Sequence, residues 1–462
     1  MPSTKPQFAS ALRILTKLRE RGHEAYLAGG CVRDLLLGRE PADFDVATSA
    51  TPDVVLAMFP RTFAVGAHFG VVLVAEGEGD AHVCTEVATF RSDGAYSDGR
   101  HPDQVRYTKN AAEDVQRRDF TINGLLLDAL RAADFWTDPA KLRSAVVDYV
   151  GGVADLDAGI IRAIGHPDRR FQEDQLRLLR AVRFAARFGF EIEPATLAAI
   201  RALVPRVYPR IGAVSRERVR DELTKMLTEG HARRAFELLD ETGLLAEVLP
   251  EVARMKGVAQ PPQFHPEGDV WVHTLLLLEQ LPPDSPLTLA WGALLHDVGK
   301  PPTFRVAPDR IRFDGHVEVG VAMGADICSR FRFSNEETRM ILALIENHMR
   351  FADAPRMKDS TLKRFFRLEN FDQHLALHRM DCLAAHGNLD IYDFVRERYE
   401  STPEEVVRPK LLLSGRELIA AGYEPGPQFQ HMLRTVEDAQ LEGFIATPIE
   451  AMALVRERFP QT

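Results

Sequence analysis

Two aspartates one residue apart, Asp43 and Asp45, close a stretch that begins with the glycine pair Gly29-Gly30 and continues through Arg33. Residues i and i+2 of a strand share a face, so an Asp-Phe-Asp strand sets two carboxylates side by side and turns Phe44 into the core. Neighbouring carboxylates repel unless a cation lies between them. Hard oxygen ligands facing a phosphate-bearing substrate suit magnesium, in one- or two-metal phosphoryl transfer. Upstream, Tyr26 to Gly30 reads as a strand ending in a glycine turn. Val32 to Leu37 reads as a helical turn whose free backbone N–H groups face a phosphate, so Gly29, Gly30 and Arg33 are candidate triphosphate contacts. Each half alone is commonplace, a loop glycine pair or two solvated aspartates, and only the joint pattern is specific.

Two further groups carry chemistry. In the run Arg117 to Gly124, two arginines and an aspartate flank the apolar anchors Phe120 and Ile122, a set able to fix ribose hydroxyls and phosphates. The C-terminal half holds His273 on a leucine-rich helix and His296-Asp297 at the end of the apolar run Leu287 to Leu295. His316, His348 and Asp381 come after them. A lone histidine on such a helix is usually a core residue, whereas imidazoles and carboxylates arriving from separate helices suit a divalent metal that activates water against a phosphoester. His374, His378, His386 and His431 are read as structural.

The elements that must position these groups follow from periodicity. Residues 8 to 21 form an amphipathic helix, and Thr51 to Phe59 a second, with Thr51 as N-cap and Pro52 at its first position. Val71 to Ala75 and Ala81 to Ala88 read as paired strands about a glycine-rich turn at residues 77 to 80. Alternation in the second strand puts His82, Cys84 and Glu86 on one face, so Glu86 is a candidate third carboxylate. Residues 92 to 104 are too interrupted by glycine, proline and small polar residues for a regular element. Asp148 to Leu156 makes a hinge-like turn. Beyond residue 160 the pattern is helical: one helix from Phe171 to Phe188 with Leu176, Leu179, Val182 and Ala186 on its buried side, and another from Arg216 to Leu227. On the first, a three-residue spacing places Asp174 beside Arg177, where acceptor and donor fork present a hydrogen-bonding edge to a nucleobase. The proline- and glycine-rich residues 256 to 268 mark a boundary, and residues 402 to 462 read as a helical tail without a motif.

At 462 residues the chain is too long for one ordinary core. Its 45% hydrophobic and 27% charged residues are those of a globular protein, with no apolar run of membrane-spanning length. Four scattered cysteines fit reduced thiols, and a cytoplasmic location is expected. The formal charge is −10, yet residues 160 to 234 carry sixteen arginines and lysines against nine acids, a basic segment able to hold an RNA backbone.

The glycine, arginine and aspartate pattern resembles the nucleotidyltransferase signature of the bacterial and eukaryotic CCA-adding enzyme and bacterial poly(A) polymerase family. Val-Ala-Thr-Phe-Arg after Glu86 is similar to the family's Glu-x-x-Thr-Phe-Arg strand and Arg117 to Asn123 to its Arg-Arg-Asp-Phe-Thr-Ile-Asn motif. Glu173 to Arg177 matches its Glu-Asp-x-x-Arg motif. The resemblance implies Asp43, Asp45 and Glu86 as catalytic residues, with magnesium on the two aspartates. It implies Arg118, Asp119 and Asn123 at the nucleotide's sugar, and Asp174, Arg177 and Arg180 in nucleotide binding. Residues 92 to 104 look like the flexible loop of members that add the terminal adenosine, which weighs against a CC-only enzyme. His273, His296, Asp297 and Asp381 resemble the ligand positions of an HD-superfamily phosphohydrolase for a second, transition metal, with His316 and His348 as further ligands or phosphate contacts.

The expected architecture is α+β. A nucleotidyltransferase head with a small mixed sheet (1–150) precedes a helical neck and body (151–255), an HD domain (265–390) and a helical tail (391–462). The expected reaction adds CMP and AMP from CTP and ATP to the 3′ end of tRNA. The alternatives are adenosine-only addition, poly(A) synthesis, or an HD phosphohydrolase whose head only binds nucleotide. No membrane partner is expected, and the sequence leaves the oligomeric state open.

Overall fold

The computed structural model describes residues 6–64, 70–76, 83–94, 104–131, 139–211, 214–263, 265–266, 268–308 and 310–461. The turn at 77–80, His82 and residues 95–103 of the predicted loop lie outside the described residues. The chain divides into two compact units between Leu249 and Pro250. That division falls before the proline-rich stretch at 256–268, because residues 250–255 pack with helices further along the chain: Glu251 pairs with Arg330, and the Met255 sulfur accepts from Thr274. Residues 1–150 and 151–249 form one unit rather than two.

In the first unit nine strands concern the site: β1 (Ala25–Ala28), β2 (Val46–Thr48), β3 (Thr62–Phe63), β4 (Val71–Glu76), β5 (Val83–Thr89), β6 (Arg91–Asp93), β7 (Val105–Tyr107), β8 (Leu126–Leu127) and β9 (Val146–Val147). Seven of them make a mixed sheet in the order β3-β4-β5-β2-β1-β8-β9, and β6 and β7 pair as a hairpin, so Ser92 and Asp93 of the predicted loop are in fact strand. β2 runs parallel to β5 and antiparallel to β1. The helix Pro6–Glu20 buries Phe8, Ala11, Ile14, Leu15 and Leu18 at amphipathic spacing. Its Phe8 ring lies 5.2 Å from Phe44, and Ser10 bonds Thr85 of β5. The Thr51 hydroxyl does not cap the following helix, Pro52–Met58, although the residue sits at the N-cap.

Beyond the sheet, Asp148 accepts hydrogen bonds from the backbone N–H groups of Val150, Gly152 and Val153 at 3.0 Å each, and so caps the helix Gly152–Ala158. The single helix expected from Phe171 to Phe188 is two, Pro167–Glu173 and Leu176–Phe188. Asp174 is extended at the break, and its side chain accepts from Leu176 N–H, starting a new helix instead of continuing the old one.

The described residues of the second unit are helical apart from loops and one small hairpin. Helices Val270–Glu279, Leu287–Leu295, His316–Arg330, Asn335–Asn347 and Phe371–Ala384 carry the candidate metal-ligating side chains or adjoin them. Phe351, Phe365, Phe366 and Phe371 form an aromatic core behind them. The tail packs its own cluster, Leu413, Leu418, Tyr423, Met432 and Val455 among its members. Glu437 of the helix Gln428–Leu441 accepts from Arg364 and Arg367, which binds that tail helix to Asp359–Phe366. No helix among the described residues is long and apolar enough to cross a membrane.

Candidate active sites

Asp43 and Asp45 lie in the extended segment leading into β2 rather than in the strand itself. Phe44 between them is buried against Phe8, so the two carboxylates face the other way. The parallel register pairs Val46 with Val87, and one step back sets Asp45 opposite Glu86. β5 alternates as predicted: Cys84 and Glu86 are exposed, Thr85 and Val87 buried. Burial, together with the charges of Asp43 and Glu86, pushes the Asp45 carboxyl up to about 7, against a smaller pull from Arg118. Three carboxylates crowded so that the Asp45 carboxyl is pushed up form a site a divalent cation fits, because it would remove the repulsion that keeps a proton on Asp45. All the donors are oxygen, the set hard cations prefer.

Gly29 has φ +73°, and a Cβ there would lie 2.9 Å from Arg118 Nη1, so only glycine lets the guanidinium rest on this turn. Arg118 also pairs with Asp114, a buried carboxylate bonded to Arg117 as well. Arg33, expected on the triphosphate, is 5% exposed. Its guanidinium is bonded to Asp34 and to Asn123 Oδ1 and is stacked on Phe188, so it ties the helix Gly30–Leu36 to the 117–124 motif.

Asp119 and Asn123, expected at the sugar, are buried in the same network. Asn123 donates to Asp119, which also accepts from Arg180 at 2.7 Å. Burial would raise the Asp119 carboxyl, but Arg180 and Asn123 outweigh it and draw it down to about 2. The chain of charges continues through Glu222 to Arg183 and Glu229. Asp174 and Arg177 are not side by side on one helix, as the single-helix reading placed them: Asp174 ends one helix and Arg177 lies in the next. The Asp174 carboxylate bonds Arg218, and the Arg177 guanidinium bonds Glu173 and two main-chain carbonyls. Most arginines of the basic segment are likewise in ion pairs, among them Arg162, Arg170, Arg187 and Arg234.

In the second unit His273, His296 and Asp381 bring their donor atoms within 4.8 Å of one another, and Asp297, His316 and His348 do the same. His273 Nε2 lies 3.0 Å from Asp381 Oδ1, and His296 Nε2 3.2 Å from Asp297 Oδ2. His316 Nε2 and His348 Nε2 approach the other oxygen, Asp297 Oδ1, at 3.9 and 3.7 Å. Burial and the like charge of His296 overcome Asp297 and push His348 down to about 4, leaving a neutral imidazole. Asp297 is pushed up by burial yet held well below the carboxylate range by Lys300 and His296. The Nε2 atoms of His296, His316 and His348 and the Asp297 Oδ1 are buried with no hydrogen-bond partner among the described residues, an arrangement that fits a metal ion. His374 and His378, which the sequence marks as structural, are buried nearby on the same helix as Asp381. Lys300 and Gln260, to which sequence alone assigns no role, hold Asp297: the lysine is 2.7 Å from Asp297 Oδ2 and donates to Gln260. The Val-Gly-Lys run after the His-Asp doublet was the available signal.

Three family models match the chain: the Poly A polymerase head domain over residues 25–162, the probable RNA and SrmB-binding site of polymerase A over 189–256, and the HD domain over 269–384. A CCA-adding enzyme of Geobacillus thermodenitrificans is 42% identical over 249 residues, 54% of this chain and 56% of that protein. The chain thus spans about half of that relative's length in alignment. One from Streptococcus pyogenes serotype M4 is 32% identical over 99% of this chain and 98% of that protein. The chain belongs to the CCA-adding enzyme family. The crystal structure of the Bacillus stearothermophilus CCA-adding enzyme in complex with CTP superposes with a TM-score of 0.72 at 27% identity, covering 98% of this chain and 99% of that one. The Thermotoga maritima CCA-adding enzyme complexed with tRNA shares the fold at 18% identity and a TM-score of 0.59. Within the CCA-adding enzyme family, this chain joins the nucleotidyltransferase head to an HD domain in which six histidine and aspartate side chains form two groups that could hold a metal ion.

Proposed function

We propose that the chain transfers CMP and AMP from CTP and ATP to the 3′ end of tRNA without a nucleic-acid template. The observation that carries this reading is the full-length likeness to a CCA-adding enzyme together with the three facing carboxylates, Asp43, Asp45 and Glu86. Asp43 and Asp45 would hold magnesium, which neutralises charge on the transferring phosphate and sharpens the attacking hydroxyl. Glu86 lies on the same face and takes the hydroxyl proton. The Gly30 N–H and the guanidinium of Arg118 receive the triphosphate on the turn that Gly29 shapes, the Gly29 N–H itself being donated to the Leu125 carbonyl, while Arg33, Asp119, Asn123 and Arg180 hold this surface in place from behind. Asp174 and Arg177 read the base, each set by its own partner, Arg218 and Glu173. The reaction belongs to the cytoplasm, in keeping with four cysteines that are all free thiols.

The test supplies the purified chain with magnesium and ATP, CTP or both, and with tRNA ending before CCA, tRNA ending after CC, or unstructured RNA. Addition of three nucleotides to the shortest tRNA is the expected result. Growth only of the CC-ended tRNA would assign an adenosine-adding enzyme, and long tails on any RNA a poly(A) polymerase.

A second reading concerns the other unit. Three of the six candidate ligands, His316, His348 and Asp381, line a cavity of about 720 Å³ together with Lys300, Arg310 and Arg312 beside Phe313 and Ile391. Cations around an apolar wall favour a phosphoester with a hydrophobic group. We propose metal-dependent phosphoester hydrolysis there, tested with bis(p-nitrophenyl) phosphate and a series of divalent metals. No turnover with any of them would leave this site a binding site only.

A further inference from the structure

We infer that Ser10 and Thr85 are positioning residues for nucleotidyl transfer: their buried hydrogen bond, with the Phe8–Phe44 contact beside it, sets the spacing of Glu86 from Asp43 and Asp45. This rests on the proposed catalytic role of those carboxylates and adds what holds them. The parallel ladder between β2 and β5 pairs Val46 with Val87 and runs on to Thr48 and Thr89. All three carboxylates lie just before the paired residues. On other sides, Glu86 is paired with Leu73 of β4, and the Asp45 carbonyl accepts from the Ala28 N–H. The two segments thus lean on different neighbours, and the helix Pro6–Glu20 packs behind both.

Phe44 and Thr85 are buried on the side away from the carboxylates. Phe8 meets Phe44 with ring centroids 5.2 Å apart, and two residues on, Ser10 meets Thr85 with hydroxyl oxygens 3.1 Å apart. Further along the helix, Arg13 pairs with Glu76 at the end of β4 and Lys17 donates to the Met58 carbonyl. Ser10 is fully buried and Thr85 nearly so. Hydroxyls in such surroundings cost free energy unless bonded, and among the described residues each finds its hydrogen bond in the other. The neighbouring threonines of the sheet behave differently, since Thr48 and Thr89 donate to the main-chain carbonyls of Glu24 and Ala50. Alanine and valine would fill the two positions with no polar atom to satisfy, so packing alone does not call for this pair. An apolar contact such as Phe8 on Phe44 tolerates sliding, whereas a hydrogen bond fixes length and direction and selects one arrangement of a core. Thr85 immediately precedes Glu86 on the opposite face of the strand, so a shift of the helix against β5 moves that carboxylate relative to the two aspartates. Reacting groups are sensitive to displacements of about 1 Å.

The experiment compares Thr85→Val, which keeps the side-chain volume and removes the hydroxyl, with Thr85→Ser, which keeps the hydroxyl and removes a methyl group. Ser10→Ala and the double variant Ser10→Ala, Thr85→Val complete a cycle. Full-length chains are assayed with saturating magnesium, CTP and tRNA ending before CCA, well below every melting transition. Thr85→Val and Ser10→Ala should each lower kcat about tenfold and leave KM for CTP and tRNA within about twofold, and the double variant should be no slower than either. Thr85→Ser should stay within about twofold of the wild-type kcat even where it melts below Thr85→Val. Without metal or nucleotide, hydrogen exchange read by mass spectrometry should rise in peptides covering 42–48 and 83–89 for the variants lacking a hydroxyl only. Either single variant serves if the other does not fold. Full kcat in Thr85→Val, or rates that follow melting temperature so that Thr85→Ser is the slower of the two, would overturn the inference. Activity surviving in Asp43→Ala would remove the catalytic reading itself, whereas an inactive Asp43→Ala beside a fully active Thr85→Val removes only the positioning role.

Discussion

The two candidate metal regions assemble their donor atoms by opposite means. In the first unit, three carboxylates come from an extended segment and one neighbouring strand, and their chemistry is all oxygen. In the second, four imidazoles and two carboxylates come from separate helices and are mostly buried. Among the described residues, only the second region gathers three donor atoms within 4.8 Å. An open, hard set suits an ion that arrives with a nucleotide's phosphates and keeps its water, whereas a closed, nitrogen-rich set retains a transition ion by itself. On the proposed reading, the difference would separate an ion borrowed with the substrate from one resident in the fold.

The sharpest break in that comparison is Asp43→Ala or Asp45→Ala. Either should lower nucleotide incorporation by more than about a thousandfold, since positioning and charge stabilisation are nearly all the protein supplies. Binding of tRNA in a filter assay should stay within about twofold. Extension by either variant in magnesium at a tenth of the wild-type rate would refute the assignment. Conversely, His296→Ala with Asp297→Ala should eliminate phosphoester hydrolysis and leave incorporation within about twofold, because the ligands belong to another unit. Loss of both activities in a folded variant would show that the two sites are not independent. Chelation sharpens the contrast: after stripping and dialysis, magnesium should restore incorporation only, and a transition ion such as Mn²⁺ or Ni²⁺ should be needed to restore hydrolysis.

A smaller effect is expected for base choice. Asp174→Ala and Arg177→Ala should each reduce selection of ATP and CTP over UTP and GTP by about tenfold, roughly the lower end of base-edge discrimination. Arg218→Ala should match Asp174→Ala, because it removes that carboxylate's partner. Unchanged selectivity in competition assays, with helicity preserved, would return all three to a structural role.

The smallest effect is on stability. Burial pushes His374 and His378 down to about 4, below the ordinary value of 6.5. Between those values the unfolded chain takes up protons that the folded one does not. The stabilisation is therefore complete above pH 6.5 and fades as the pH falls towards 4. Melting temperatures should decline across that window, and His374→Leu should flatten the decline. An identical slope in the variant would contradict the cause.

The carboxylate region is the more legible in sequence. Asp43 and Asp45 are two residues apart, Phe44 dictates their common face, and alternation along β5 brings in Glu86. What sequence could not supply is the destination of each arginine. Arg33 has the position of a phosphate contact, yet Asp34 and Asn123 take its guanidinium. The break at Asp174 escapes a periodicity reading because no proline or glycine marks it; an aspartate able to cap the next helix is the only sign. The six candidate ligands of the second unit are all visible in the sequence, but their division into two sets depends on which oxygen of Asp297 faces which ring.

Between the His-Asp doublet and His316 stands a residue defined by what it lacks. A Cβ on Gly299 would fall 2.0 Å from the His316 carbonyl oxygen and 2.6 Å from the Gly320 nitrogen. The chain segment carrying Asp297 is thereby pressed against the first turn of the helix His316–Arg330. This contact acts as a gauge block: a single methyl group would wedge the two segments apart and separate His316 from Asp297 without altering any ligand. Gly299→Ala would leave six intact ligands in a sequence that no longer has room to bring them together.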